Sequence, residues 1–353
     1  MNLESLQSGV AGLVASANQD HVLQGFRAPL IGALVACVVS WVLTPFIRTL
    51  AFAKGAVDDP TRDDRRIHKE PLARWGGLAI YIGIVVGLVV ILPFAFPNTT
   101  AFPLYLIGVV LIGGVLVVVG ALDDLYQYSA KIQLVVLLGA GVGVQYFYGG
   151  AGRVQIGSLG IPLSIFPGHI ILPPVAAVIL TAIYIFIVTK TMDTIDGVDG
   201  LAAGIATISA GTLSIIAAYG GQPRVAIVAA TIAGASVGFL RHNYNPAKII
   251  MGTGGAYILG FMLACLSIVG AFKTAAAVSF VVPVLVFGVP IFDAFFVITR
   301  RIINRVPITQ ADKRHVHHTL LGKGLSQRQT VLVMYAVAMA LCAVLLLLIK
   351  AYA

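Results

Sequence analysis

Ten apolar stretches divide the chain, and short polar segments separate them. At roughly 20 apolar residues per membrane-spanning helix, they fall near residues 28–47, 76–96, 102–121, 132–148, 171–189, 200–218, 225–240, 256–271, 275–298 and 330–349. The pattern predicts an all-α integral membrane protein with about ten transmembrane helices, forming one domain over residues 1–353. Residues 150–168 break the pattern: Val154-Gln155-Ile156 and Ile161-Pro162-Leu163 about a glycine-containing turn predict a small external β-hairpin. The first 27 residues carry no basic residue before Arg27, so the charged start of a signal peptide is missing. The mildly apolar Val10–Ala17 within them predicts an interfacial helix.

Composition supports the class. Hydrophobic residues make up 59% of 353 positions and charged residues only 10%, which excludes an ordinary soluble domain. Cys37, Cys265 and Cys342 all lie in apolar stretches without metal-ligand spacing, and read as packing residues rather than disulfides or zinc ligands. The 38 glycines suit close helix packing and are compatible with a homodimer.

Charge sets the orientation. With ten spans, all but five of the 23 Lys and Arg residues fall on one side, the exceptions being Arg27, Arg153, Arg224, Lys273 and Lys350. The positive-inside rule makes that side cytoplasmic and places both termini outside, in a multi-pass protein of the cell membrane. The acids follow: only Glu4 and Asp20 lie outside, and Asp293 sits within a span. The net charge of +9 is therefore mainly an orientation signal, with some attraction for anionic lipids or substrates. Nucleic acid is not an expected partner, because no basic, aromatic-studded soluble domain exists to hold it.

Five inner segments carry nearly all the chemistry: Lys54–Arg74, Asp123–Lys131, Lys190–Asp199, Arg241–Gly255 and Arg300–Arg328. Asp123 and Asp124 are adjacent carboxylates that repel unless a cation neutralises them; they read as a magnesium or phosphate-chemistry pair, or as a solvated helix end. Asp193, Asp196 and Asp199 recur every three residues in KTMDTIDGVDG. Helical spacing would align them on one face, whereas Gly197 and Gly200 would let the backbone turn around a ligand. Hard oxygen ligands without sulfur favour Mg²⁺, with Mn²⁺ an alternative, over zinc. Gly252, Gly254 and Gly255 open the eighth stretch, offering backbone N–H groups to a phosphate or allowing close packing. His315, His317 and His318 among basic residues suit hydrogen bonding to a pyrophosphate or phosphate. Taken alone, Arg66, His68, Lys69 and Arg74 would serve equally as a lipid-headgroup anchor.

These motifs together resemble the polyprenyl-phosphate N-acetylhexosamine-1-phosphate transferases, from about Val57 to Leu321. The matching elements, in family order, are VDDPTRDDRRIHKEPLARWGG, GALDDL, DGVDGL, GFLRHNYNPAKIIMG and HVHH. The DKRHVHHTLL form resembles the branch using UDP-N-acetylglucosamine more than the muramoyl-pentapeptide branch. The resemblance implies transfer of sugar-1-phosphate from a UDP-N-acetylhexosamine to polyprenyl phosphate at the cytoplasmic face of the bilayer, releasing UMP. It implies Asp123 or Asp124 as the base, Asp196 and Asp199 at the nucleotide–metal site, and histidines on the phosphates. Arg66, His68, Arg74, Lys131, Lys190 and Asn243 complete the expected substrate contacts. The metal ligands are expected from Asp193, Asp123 and Thr253.

Two departures bear on the cation. Lys190 and Asp193 stand where the family usually has two asparagines, and Thr253 replaces the aspartate of an MGD tripeptide. The expectation is that the carboxylate has changed sides of the cation, so that Asp193→Asn with Thr253→Asp retains activity while Asp193→Ala abolishes it. The rival classes are a non-catalytic relative that binds polyprenyl phosphate or a partner, which Thr253 alone favours, and a transporter. A transporter would carry ionisable groups near mid-membrane, whereas Asp293 lies close to the inner boundary.

Overall fold

A backbone surrounded by hydrocarbon must satisfy its own N–H and C=O groups, so apolar stretches become helices. A computed structural model describes residues 3–60, 70–96, 102–149, 152–160, 169–271, 281–303 and 315–352, with the backbone alone for 3–24, 159, 160, 169, 271 and 352. Its helices are α1 (Leu3–Lys54), α2 (Gly76–Ala95), α3 (Leu104–Tyr126), α4 (Ala130–Gly143), α5 (Pro174–Ile195), α6 (Leu201–Tyr219) and α7 (Pro223–Asn243). There follow α8 (Gly252–Ala271), α9 (Val281–Val286), α10 (Gly288–Ile303), α11 (Val316–Gly322) and α12 (Gln327–Tyr352). Among the described residues eight helices are long and apolar enough to cross a membrane: α1 from Gly25, α2, α3, α5, α6, α7, α8 and α12. The protein is a multi-pass, all-α membrane protein.

The structure revises three expectations. The fourth stretch forms a shorter apolar helix, Ala130–Tyr146, whose last turn tightens to 3₁₀ geometry. The ninth is broken at Phe287 between α9 and α10, and residues 272–280 lie outside the described set. Helix α1 runs unbroken through Pro29 and Pro45, so residues before Gly25 continue into the first long apolar helix. The hairpin lies later than its sequence signal: β3 (Ser158–Gly160) pairs antiparallel with β4 (His169–Ile171), leaving Val154–Ile156 outside it. Two β-branched residues and one polar residue do not make a strand without a partner.

Helix α8 forms the centre, packed by α2, α3, α5 and α6, while α1 lies against α7 and α2. Glycines permit the closest approaches: a methyl group added at Gly77 or Gly120 would overlap backbone atoms of α8 at Gly254 and Gly255. At one end, Phe26 meets Tyr219 edge-on at 5.7 Å and Arg224 lies 4.6 Å over Phe96. At the other end the charged loops meet. There β1 (Val57–Asp58) pairs with β2 (Leu72–Ala73), and Ala73 bridges in parallel to Ile249. The Ile250 N–H donates to Ala73 O at 2.9 Å, and the Gly77 N–H to Met251 O at 2.9 Å. The segments leading into α2 and α8 are thereby fixed side by side.

Candidate active site

Asp124, buried at the end of α3, ties three segments together. Arg74 Nη1 lies 3.2 Å from Asp124 Oδ1, and Arg74 Nε donates to Asp58 Oδ1 at 3.2 Å, with Nη2 on that same oxygen. The short β1–β2 pairing brings Asp58 to Arg74. The Thr253 N–H, at the start of α8, donates to Asp124 Oδ1 at 3.1 Å. Burial opposes the Arg74 charge, but Asp124 and Asp58 outweigh it and hold the guanidinium above its usual range. Gly252 has φ +74, and a β-carbon there would strike Asp124 Oδ2, so glycine is required on both counts. That oxygen is buried without a hydrogen-bond partner among the described residues.

Asp123 is held differently. Its Oδ1 accepts from the Tyr128 N–H at 2.8 Å, and Gln133 Nε2 lies 3.2 Å from both carboxylate oxygens. Gln133 Oε1 in turn accepts from Lys190 Nζ at 2.9 Å, and Lys190 Nζ pairs with Asp193 Oδ2 at 2.7 Å. A polar chain thus links α3, α4 and α5.

The DGVDG segment leaves the helix at Asp196 and turns, so the glycine reading holds for its second half. Gly200, at φ +81, donates its N–H to Asn243 Oδ1 at 3.1 Å, and its carbonyl accepts from the Tyr335 hydroxyl at 2.6 Å. Asp199 Oδ2 accepts from Asn245 Nδ2 at 3.0 Å and from the Ala247 N–H at 3.1 Å. Asp196 is half-buried, and no described residue donates a hydrogen bond to its carboxylate. Burial, then Asp193 and Asp124, push that carboxyl well above its usual range despite Arg74.

The histidines close the pocket. Asp293 Oδ2 is 2.7 Å from His315 Nδ1, and Asp293 Oδ1 accepts from the Val316 N–H at 2.6 Å. His315 stacks on His317 at 5.5 Å between ring centroids, and His317 lies 4.4 Å from His318. His317 is 1% exposed, and its Nε2 faces Gly197 of the carboxylate loop. Burial, reinforced by His318 and His315 and opposed by Asp293, pushes its imidazole down to about 4.

Asp123, Asp124, Asp193, Asp196, Asp199, Arg74, Lys190, Thr253 and the three histidines therefore meet at one end of the bundle. Arg66 and His68 lie outside the described residues. Lys131 is exposed on the first turn of α4 and makes no polar contact among the described residues, so nothing draws it into the pocket. Asn243 is 2% exposed, and its amide is engaged by the Gly200 N–H and by Ile249 O at 2.9 Å, so it clamps the DGVDG turn to the segment before α8. Residues the sequence reading missed are Asp58, Gln133 and Asn245. Gln133 had a faint signal, as an amide in a largely apolar helix; Asp58 stands in the VDDP string and Asn245 in the Asn-Pro turn, neither of which points to its partner.

Among the described residues, no three carboxylates, histidines or cysteines form a ready-made metal shell. Asp193 Oδ2 is committed to Lys190, and Thr253 presents its backbone N–H to Asp124. Mg²⁺ is usually held by one or two carboxylates together with waters and substrate phosphates. The unpartnered Asp124 Oδ2 and the undonated Asp196, whose carboxyl feels the Asp124 charge, fit that kind of site.

Fold and site define a polytopic membrane protein with a carboxylate-, arginine- and histidine-lined pocket at one end. The profile described as "Glycosyl transferase family 4" matches residues 105–271. A probable undecaprenyl-phosphate N-acetylglucosaminyl 1-phosphate transferase of Bacillus subtilis (strain 168) is 35% identical over 312 residues, covering 87% of this chain and 81% of the relative. A decaprenyl-phosphate N-acetylglucosaminephosphotransferase of Mycolicibacterium smegmatis is 33% identical over 336 residues, covering 87% and 78%. An undecaprenyl-phosphate alpha-N-acetylglucosaminyl 1-phosphate transferase of Escherichia coli (strain K12) is 26% identical over 302 residues, covering 83% and 77%. The chain belongs to glycosyl transferase family 4.

Proposed function

We propose that the protein transfers N-acetylglucosamine-1-phosphate from UDP-N-acetylglucosamine to polyprenyl phosphate, releasing UMP, with its pocket on the cytoplasmic face of the cell membrane. The observation that carries this reading is the convergence of five charged loops on Asp124 and the Asp193–Asp199 turn. Both substrates are anions, and a lipid phosphate is confined to the headgroup level where these loops lie.

A lipid-phosphate oxygen attacks the β-phosphorus of the UDP-sugar, the bond to the bridging oxygen breaks, and UMP leaves. Little covalent work falls to the protein, so positioning and electrostatics supply the acceleration. Asp123, oriented by Gln133 and Tyr128, is placed to take a proton from the lipid phosphate. A phosphate monoester's second pKa is about 6, so this proton transfer is dispensable near neutral pH. Arg74 fixes Asp124, and Asp293 fixes His315 with Nδ1 engaged and Nε2 free for a phosphate oxygen. Mg²⁺ or Mn²⁺ would be held by Asp124 and Asp196, and when bound it neutralises phosphate charge.

The test is UMP release by purified protein given polyprenyl phosphate, Mg²⁺ and a panel of UDP-sugars. UMP that depends on both lipid and cation supports the reading; no UMP from folded protein with any sugar refutes it.

A further inference from the structure

Among the described residues Lys190 is the only lysine in contact with the carboxylates of the pocket, and its surroundings differ from those of a solvated ion pair. An ammonium has three donors. One goes to Asp193 Oδ2 at 2.7 Å, one turn along α5, and one to Gln133 Oε1 at 2.9 Å from α4. Nζ also lies 6.0 Å from the ring centroid of Tyr257 on α8. Three helices therefore fix the group, although its side chain is still 35% exposed. Beneath it, the Tyr257 hydroxyl is buried without a partner.

The charge balance gives the arrangement its meaning. Asp123, Asp124, Asp193, Asp196 and Asp199 lie within one pocket, and the hydrogen bonds of Arg74 go to Asp124 and Asp58. Without Lys190, Asp193 would be an unanswered anion beside Asp196, in a site that must admit phosphates. With Lys190, Asp193 is neutralised and the ammonium keeps one donor for the pocket. Gln133 transmits the same restraint to Asp123, since its amide bridges the two side chains.

We propose that Lys190 is a ligand for a substrate phosphoryl oxygen, and that Asp193 and Gln133 are positioning residues that act through it. Asp193 then serves the reaction by holding an ammonium instead of coordinating the cation. This rests on the phosphotransferase reading of the same pocket. The phosphoryl oxygen belongs either to the nucleotide sugar or to the lipid phosphate, and KM measured for each substrate separately identifies which.

The experiment is a cycle of Lys190→Met, Asp193→Asn and the double variant in the full chain, with Lys190→Arg as the conservative control. Turnover is read as UMP release, and ligand binding as the melting-temperature shift caused by UDP-N-acetylglucosamine or by polyprenyl phosphate. Lys190→Met should lower kcat/KM about 10- to 100-fold, as expected for one lost charge-assisted contact, mainly through KM for one substrate. Lys190→Arg should retain most activity. The double variant should be no worse than Lys190→Met alone, because Asp193 has nothing left to position.

If the losses multiply, or if Asp193→Asn is rescued by Thr253→Asp and not made harmless by Lys190→Met, Asp193 is a cation ligand and the proposal fails. A Lys190→Met protein with both melting shifts and both KM values unchanged overturns it as well. A wild type that binds both ligands without turnover would refute the transferase reading alone, and the cycle is then decided by the binding shifts. A folded wild type that binds neither ligand would overturn both.

Discussion

His315 Nδ1 lies 2.7 Å from Asp293 Oδ2, so the first imidazole of the histidine loop is aimed by a carboxylate 22 residues earlier. The second Asp293 oxygen holds the Val316 N–H, which starts α11. Both bonds are lost in Asp293→Ala, whereas Asp293→Asn keeps one acceptor oxygen for Val316 and cannot accept from His315 with the other. Outer partners that orient a functional histidine are commonly worth about 10–100-fold. The alanine variant should fall to the low end of activity with a lower melting temperature; the asparagine variant should lose activity with less loss of stability. Turnover and melting curves on the same preparations check both.

Asp196 separates stability from function. Burial and the neighbouring Asp193 and Asp124 favour its uncharged form. An amide supplies that neutrality without a proton, so Asp196→Asn should melt at or above the wild-type temperature. Transfer should drop by about two to three orders of magnitude, the scale of losing one electrostatic group at a reacting phosphate. A variant that is both stable and active would remove Asp196 from the cation site.

His317 makes a pH prediction. Its imidazole is held down to about 4, below the usual 6.5, so the folded protein keeps it neutral where an unfolded chain would protonate it. The unfolded state then binds more protons between those values, and stability rises with pH across that window. The contribution is intact above about 6.5 and is lost as pH falls towards 4. His317→Gln should flatten that part of the melting-temperature profile relative to wild type, with little difference near pH 8.

Gly120 sits one turn before Asp123 and Asp124, against the backbone of α8 at Thr253 and Gly254. A larger side chain must push α3 away from α8. Gly120→Val should cost about 1–3 kcal/mol, typical of overpacking, and should impair catalysis beyond its effect on folding, because both carboxylates move with the helix. The ratio of activity to folded fraction, from detergent-resistant melting, checks this.

Much of this was legible before the fold was known. Hydrophobic runs reveal helices directly, because bilayer length and backbone hydrogen bonding leave few alternatives. The carboxylates and histidines were legible because they crowd into five short segments between otherwise apolar stretches. What stayed hidden depends on pairings with no local signal. A two-residue strand such as Val57–Asp58 is specified only by its partner, so the Asp58–Arg74 contact could not be read from spacing. Asn243 clamps Gly200 and Ile249, a pairing across distant segments that its own amide does not announce. The break at Phe287 falls within a continuous apolar run, where hydropathy has no contrast to show it.

The central claim is that a sugar leaves its nucleotide with one phosphate attached. UDP-N-acetylglucosamine labelled in the β-phosphate, incubated with the purified protein, polyprenyl phosphate and Mg²⁺, tests it most directly. Label is expected in the lipid fraction and unlabelled UMP in solution, both falling by about two to three orders of magnitude in Asp196→Asn. Labelled UDP in solution with an unlabelled glycolipid would show sugar transfer without phosphate and contradict it.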